Sequence, residues 1–99
     1  PEFTTSPTPG HTPGHTSIRV TSNGEHAFVL GDVAHSPIQA HHTDWCPGFD
    51  IIPDMARATR HAVIDMLEAE GTLVSAGHFP DPGLGRFVRG EERRYWQGI

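Results

Sequence analysis

Side chains able to bind a metal ion stand in three short segments of the sequence. The doubled segment PGHTPGH contains His11 and His15, the segment LGD ends at Asp32, and the segment AGH ends at His78. Imidazole and carboxylate ligands together suit zinc, manganese, iron or cobalt, and a carboxylate can bridge two cations. The pattern therefore predicts a divalent-metal site to which these three segments could contribute ligands.

Each of these side chains adjoins a predicted strand or a glycine-rich turn. Residues 16–22 alternate between apolar and polar types, which predicts a half-buried strand, and Asn23-Gly24 is a strong hairpin signal. The returning run 27–30 is apolar throughout and predicts a central strand covered on both faces. Open α/β sheets place their sites beyond strand ends, so the candidate ligands are expected to converge there.

The remaining segments complete an α/β pattern. Residues 33–52 predict a long loop, in which Trp45 and Phe49 either wall a pocket or anchor the loop on the core. Pro53 and the helical spacing of apolar residues up to Gly71 predict one helix. Short strands are expected at 72–76, 86–89 and 94–97. This order predicts a mixed sheet with one main helix packed on a face.

Composition restricts the possible partners and the compartment. The chain has 99 residues, a formal charge of -5 and no lysine, so nucleic acid is not an expected partner. Cys46 is the only cysteine, which excludes an intrachain disulfide and makes the reducing cytoplasm the expected compartment. No apolar run is long enough to span a bilayer, so no membrane partner is expected.

The joint pattern of PGHTPGH, a hairpin ending in GD, and a later GH resembles the C-terminal half of the metallo-β-lactamase superfamily. The resemblance covers residues 8–99, while residues 1–7 are expected to be an artificial junction or a truncation point. The stretches GDVAHSPIQ and GHFPDPGLGR are most similar to the branch containing N-acyl homoserine lactonases and methyl parathion hydrolase. The implied fold is the C-terminal half of an αββα sandwich.

The resemblance also implies roles for individual residues. His11 would bind one metal, Asp32 would bridge two, and His78 would bind the second, with zinc as the expected cofactor and manganese, iron or cobalt as alternatives. His15 would support the loop or orient ligands, and His35 would border the pocket. The implied reaction is hydrolysis of a small-molecule lactone, ester or phosphotriester by a metal-bound hydroxide, with Asp32 as the catalytic residue.

The sequence lacks HxHxDH, the motif that supplies metal ligands from the N-terminal half of the family. We therefore expect a hydrolase fragment with little activity alone. One alternative is a non-catalytic folded fragment that forms a homodimer through an exposed sheet face. Another is a histidine-rich zinc-binding module without hydrolytic ancestry, which would need a closed four-ligand site.

Overall fold

The computed structural model describes residues 2–48 and 50–99, so Pro1 and Phe49 lie outside the described residues. Within this part of the chain, six strands form one mixed sheet in sequence order. The strands are β1 (Glu2–Pro7), β2 (Thr16–Ser22), β3 (Glu25–Val29), β4 (Leu73–Ser75), β5 (Leu84–Arg89) and β6 (Arg94–Gly98). Among the described residues one α-helix forms, α1 (Pro53–Glu70), and no helix there is long and apolar enough to cross a membrane.

The predicted hairpin is confirmed. Asn23 and Gly24 connect β2 to β3 with positive φ angles of 53° and 78°, which is the backbone that a tight hairpin requires. The register pairs Ile18 with Val29. Residues that precede β2 and residues that follow β3 therefore lie at the same end of the sheet.

The predicted helix is also confirmed. α1 starts at Pro53, and Gly71 ends it in the left-handed conformation with φ 67°. Its apolar stripe lies against the sheet, and the shared core comprises residues from the helix and the strands, including Val63, Ile64, Leu67, Phe28, Val74 and Phe87.

Strands β3 and β4 pair in parallel, whereas the other neighbouring strands are antiparallel. Parallel neighbours need a long crossover connection, which the loop and α1 supply here. The crossover brings the carboxyl ends of β3 and β4 side by side. As a result, the segment with Asp32 and the segment with His78 meet at one end of the sheet.

The expectation that residues 27–30 form a strand covered on both faces is wrong. Phe28 is fully buried on the helix side, but Val29 on the opposite face is 38% exposed. Among the described residues α1 covers one face only, so alternate residues of β3 remain open. Leu30 follows the strand and is fully buried at its end.

Strand β1 was not predicted from the sequence. It pairs antiparallel with β2, from Glu2 opposite Thr21 to Pro7 opposite Thr16. Phe3 is 71% exposed, so backbone pairing rather than apolar burial holds this edge strand in place. A strand of that kind leaves no hydrophobic periodicity to detect.

The two glycines of PGHTPGH offer a test of how the segment packs. Gly10 has φ 137°, and a Cβ there would lie 2.3 Å from Cα of Ala56 in α1, whereas a Cβ at Gly14 would meet nothing within 4 Å. We expect Gly10→Ala to lower the free energy of unfolding by at least about 1–3 kcal/mol. Gly14→Ala should change it by less than about 0.5 kcal/mol. If urea denaturation shows the same loss of unfolding free energy for both variants, this packing is contradicted.

Candidate metal centre

The three predicted ligands converge at one end of the sheet. His11 lies in the loop before β2, Asp32 in a short 3₁₀ turn after β3, and His78 in the turn after β4. Nε2 of His11 is 3.6 Å from Oδ2 of Asp32, and Nε2 of His78 is 2.7 Å from Oδ1. The carboxylate of Asp32 is therefore at the centre of the group, with one histidine facing each oxygen.

His35 lies in the same cluster. Its Nε2 is 3.6 Å from Oδ1 of Asp32, and its ring is between those of His11 and His78, at centroid distances of 5.0 and 4.8 Å. His11, Asp32 and His35 each offer a ligand atom within 4.8 Å of the other two. The sequence placed His35 at the pocket border; the structure places it against Asp32.

The ring of His11 is oriented by a buried ion pair that the sequence analysis missed. Nδ1 of His11 is 2.8 Å from Oδ1 of Asp50, and Nη2 of Arg60 donates to the other carboxylate oxygen at 3.2 Å. Both side chains of this ion pair are fully buried. Because the carboxylate accepts the Nδ1 proton, Nε2 of His11 is left with a lone pair directed towards Asp32.

Arg60 also fixes the loop around the cluster. Its guanidinium donates to the backbone carbonyls of Val33, Thr43 and Trp45, at 2.8 to 3.0 Å. Val33 follows Asp32 directly, so the helix holds the backbone of one candidate ligand and, through Asp50, the ring of another. The sequence did carry a signal: position 60 lies on the buried stripe of α1 with Ala56, Val63, Ile64 and Leu67. A charged residue there needs a buried partner.

His15 supports Asp32 through the backbone. Its Nδ1 is 3.1 Å from the carbonyl of Thr8 and therefore donates, and its Nε2 accepts the amide N–H of Asp32 at 2.8 Å. Gly31 makes this approach possible, because a Cβ there would lie 2.8 Å from the same Nε2. Both ring nitrogens are occupied, so in this conformation His15 orients the Asp32 turn and is not positioned to bind a cation.

Removing the His15 ring should destabilise the fold. We expect His15→Ala to lower the free energy of unfolding by about 1–3 kcal/mol, because buried polar groups around Thr8 lose their partner. His26→Ala is the matched control: His26 is exposed and contacts Thr21 Oγ1, so its loss should stay within about 0.5 kcal/mol. Urea denaturation of both variants measures the difference, and equal effects would contradict a supporting role.

Charge in the cluster favours the protonation states that bind cations. Burial raises the pKa of Asp32, but a hydrogen bond from His78 and the charges of His11 and His35 outweigh it and leave the pKa lowered. Burial, followed by the neighbouring charges of His78 and His11, lowers the pKa of His35. An ionised carboxylate beside neutral imidazole is the donor set that divalent cations require, so these residues fit such an ion.

A small apolar cavity adjoins the cluster. It has a volume of about 220 Å³ and is lined by His35, Ile38, Trp45, Cys46 and Pro47, among others. A larger groove of about 870 Å³ lies at the opposite end of the sheet, beside Arg19 and Glu70, away from the candidate ligands.

Two solved structures that share this fold are described as a lactonase and a hydrolase. AidC, described as a dizinc quorum-quenching lactonase in complex with a product, is 31% identical, with 98% of this chain and 33% of that chain covered at a TM-score of 0.91. The hydrolase AbOPH of the beta lactamase superfamily is also 31% identical, covering 98% and 34% at a TM-score of 0.92. The chain has the fold of the metallo-β-lactamase superfamily.

The resemblance inferred from PGHTPGH, GD and GH is therefore confirmed, together with the α/β fold class. An N-acyl homoserine lactone hydrolase shares the fold at 20% identity, with 80% of this chain and 31% of that chain covered at a TM-score of 0.65. This chain spans about a third of the length of AidC and AbOPH. No family model matches the sequence, and no curated protein matches it either.

Proposed function

We propose that this chain supplies part of the metal centre of a metal-dependent hydrolase that cleaves a lactone, ester or phosphotriester. The observation that carries the proposal is the convergence of His11, Asp32 and His78, from three separate segments, in a fold shared with a dizinc lactonase. The remaining ligands of the centre lie outside these 99 residues, since HxHxDH does not occur in the sequence. The chain alone is therefore expected to hydrolyse little.

The two oxygens of Asp32 support a bridging role. Oδ2 faces His11 and Oδ1 faces His78, so one carboxylate separates two imidazoles that approach from different segments. Zinc fits this donor set, as do manganese, iron and cobalt. Divalent cations at such a site supply Lewis acidity, which activates water and polarises the carbonyl or phosphoryl oxygen of the substrate.

The other residues of the centre hold the ligands in place. Asp50 keeps the proton of His11 on Nδ1, and His15 accepts the amide N–H of Asp32, so both ligand groups are pre-oriented. The apolar cavity beside His35, against Ile38 and Trp45, is suited to an apolar substituent of the substrate.

Complementation tests this function. The chain is mixed with the N-terminal lobe of a metallo-β-lactamase-fold hydrolase that bears HxHxDH, in the presence of zinc. We expect hydrolysis of a lactone or phosphotriester by the mixture and by neither part alone. Asp32→Asn should abolish it, whereas Asp44→Asn, at an exposed loop position, should not. Absence of hydrolysis with both parts folded and associated would contradict the proposal.

A second candidate function is self-association through the open face of the sheet. The face opposite α1 exposes several large apolar side chains, namely Phe3, Ile18, Val29, Leu84 and Tyr95. Apolar surface of this kind drives association, so a homodimer is the expected state of a non-catalytic chain. A monomer in sedimentation, together with cooperative thermal unfolding, would contradict this candidate.

A further inference from the structure

We propose that His35 is a cation ligand, and that His11, Asp32 and His35 together hold one divalent cation within this chain alone. This inference rests on the proposed function, because it concerns the same end of the sheet. It goes further by assigning a ligand role to His35 and by predicting a one-cation site that needs no other lobe.

The spacing of the donor atoms carries the inference. Nε2 of His11 lies 3.6 Å from Oδ2 of Asp32, and Nε2 of His35 lies 3.6 Å from Oδ1, so the two imidazoles flank the carboxylate at equal distances. Two donors that each lie about 2.1 Å from one tetrahedral cation are about 3.4 Å apart. One ligand atom from each of the three residues lies within 4.8 Å of the other two, so side-chain rotations that close the longer separations would bring the three donors onto one ion.

His78 is placed differently. Its Nε2 is 2.7 Å from Oδ1 of Asp32, which is a hydrogen-bond distance and shorter than the separation of two donors on one tetrahedral cation. In this chain His78 therefore forms a hydrogen bond with the carboxylate of Asp32 and is not one of the three donors. Its side chain is also about half exposed, whereas that of His35 is only 12% exposed.

The backbone around His35 is built to hold the ring in place. The amide N–H groups of His35 and Ser36 both donate to Oε1 of Gln39, at 2.6 and 3.2 Å, and Nε2 of Gln39 donates to the carbonyl of Trp45. Gln39 is 4% exposed, so these hydrogen bonds are shielded from water. A ligand on such a fixed turn loses little conformational entropy when a cation binds.

Metal titration of the 99-residue chain tests the inference. Zn²⁺ binding is followed by calorimetry and Co²⁺ binding by visible absorption. We expect one ion per chain, with affinity at least about tenfold lower in His35→Gln, since even partners outside the ligand shell cost 10–100-fold. His26→Gln, at an exposed position in β3, should bind like the unmodified chain.

The outcomes separate the two proposals. If His35→Gln binds normally while His11→Ala and Asp32→Asn bind weakly, the ligand role of His35 is overturned and the proposed function stands. A greater loss in His78→Gln than in His35→Gln also overturns it. Normal binding in all of these variants overturns both proposals.

A readout on the unmodified chain avoids any dependence on the folding of a variant. Co²⁺ is paramagnetic and shifts the proton resonances of histidine rings that ligate it. We expect the ring signals of His11 and His35 to shift strongly at one equivalent, and those of His26 to stay in place. A shift at His11 without one at His35 would overturn the inference.

Discussion

Replacing Arg60 by alanine is expected to lower the free energy of unfolding by about 3–5 kcal/mol. The guanidinium is fully buried, and its removal leaves Oδ2 of Asp50 and the carbonyls of Val33 and Thr43 without the donor that Arg60 supplies. A domain of this size has roughly 5–15 kcal/mol of stability in total. Urea denaturation followed by circular dichroism should therefore show a chain close to its folding threshold.

Arg57→Ala is the matched control, because Arg57 lies one turn earlier on the same helix. Its side chain is 41% exposed and its partner Asp54 is 99% exposed, so the pair is screened by water. The expected loss is below about 1 kcal/mol. If both substitutions lower the free energy of unfolding equally, the buried ion pair does not hold the loop to the helix.

The second large effect is expected for Asp32→Asn, which should weaken zinc binding by more than about 100-fold. The carboxylate is central to the cluster, and loss of a direct ligand should exceed the 10–100-fold cost of losing an outer partner. Stability should change little, because the side chain is 38% exposed. Calorimetric titration and urea denaturation of the same sample separate the two effects.

Asp44→Asn is the control for this change. Asp44 is an exposed carboxylate in the loop between β3 and α1, so the substitution alters net charge equally. Its zinc affinity should match that of the unmodified chain. Equal weakening by both substitutions would mean that net charge, and not ligation by Asp32, governs cation binding.

The elements that local signals define were predictable from the sequence. Asn23-Gly24 fixed the hairpin, while Pro53, the apolar period and Gly71 fixed the helix, and all of these act within a few residues. β1 was not predictable because it depends on pairing with β2 and carries no apolar pattern. The open face of β3 was also missed, since an apolar run does not reveal how many layers cover it.

The candidate site also contains residues that local motifs revealed and residues that they did not. His11, Asp32 and His78 were found from their motifs, and the parallel pairing of β3 with β4 brings two of their segments together. Asp50 contacts His11 across 39 residues of chain, from a loop without any period, so no local signal marked it. The approach of His35 to Asp32 depends on the direction of the chain after the 3₁₀ turn, where Ala34 is extended, and no local signal in the sequence marked that direction.

The most direct test of the central claim is zinc-edge X-ray absorption on the chain after zinc loading and desalting. We expect retained zinc with nitrogen and oxygen ligands, including imidazole scattering from two histidines, and no sulfur. Cys46 is not expected to contribute, because its thiol is directed at the carbonyl of Pro53, 3.6 Å away. Loss of zinc on desalting, or a sulfur ligand in the spectrum, would contradict a one-cation site held by His11, Asp32 and His35 within this chain.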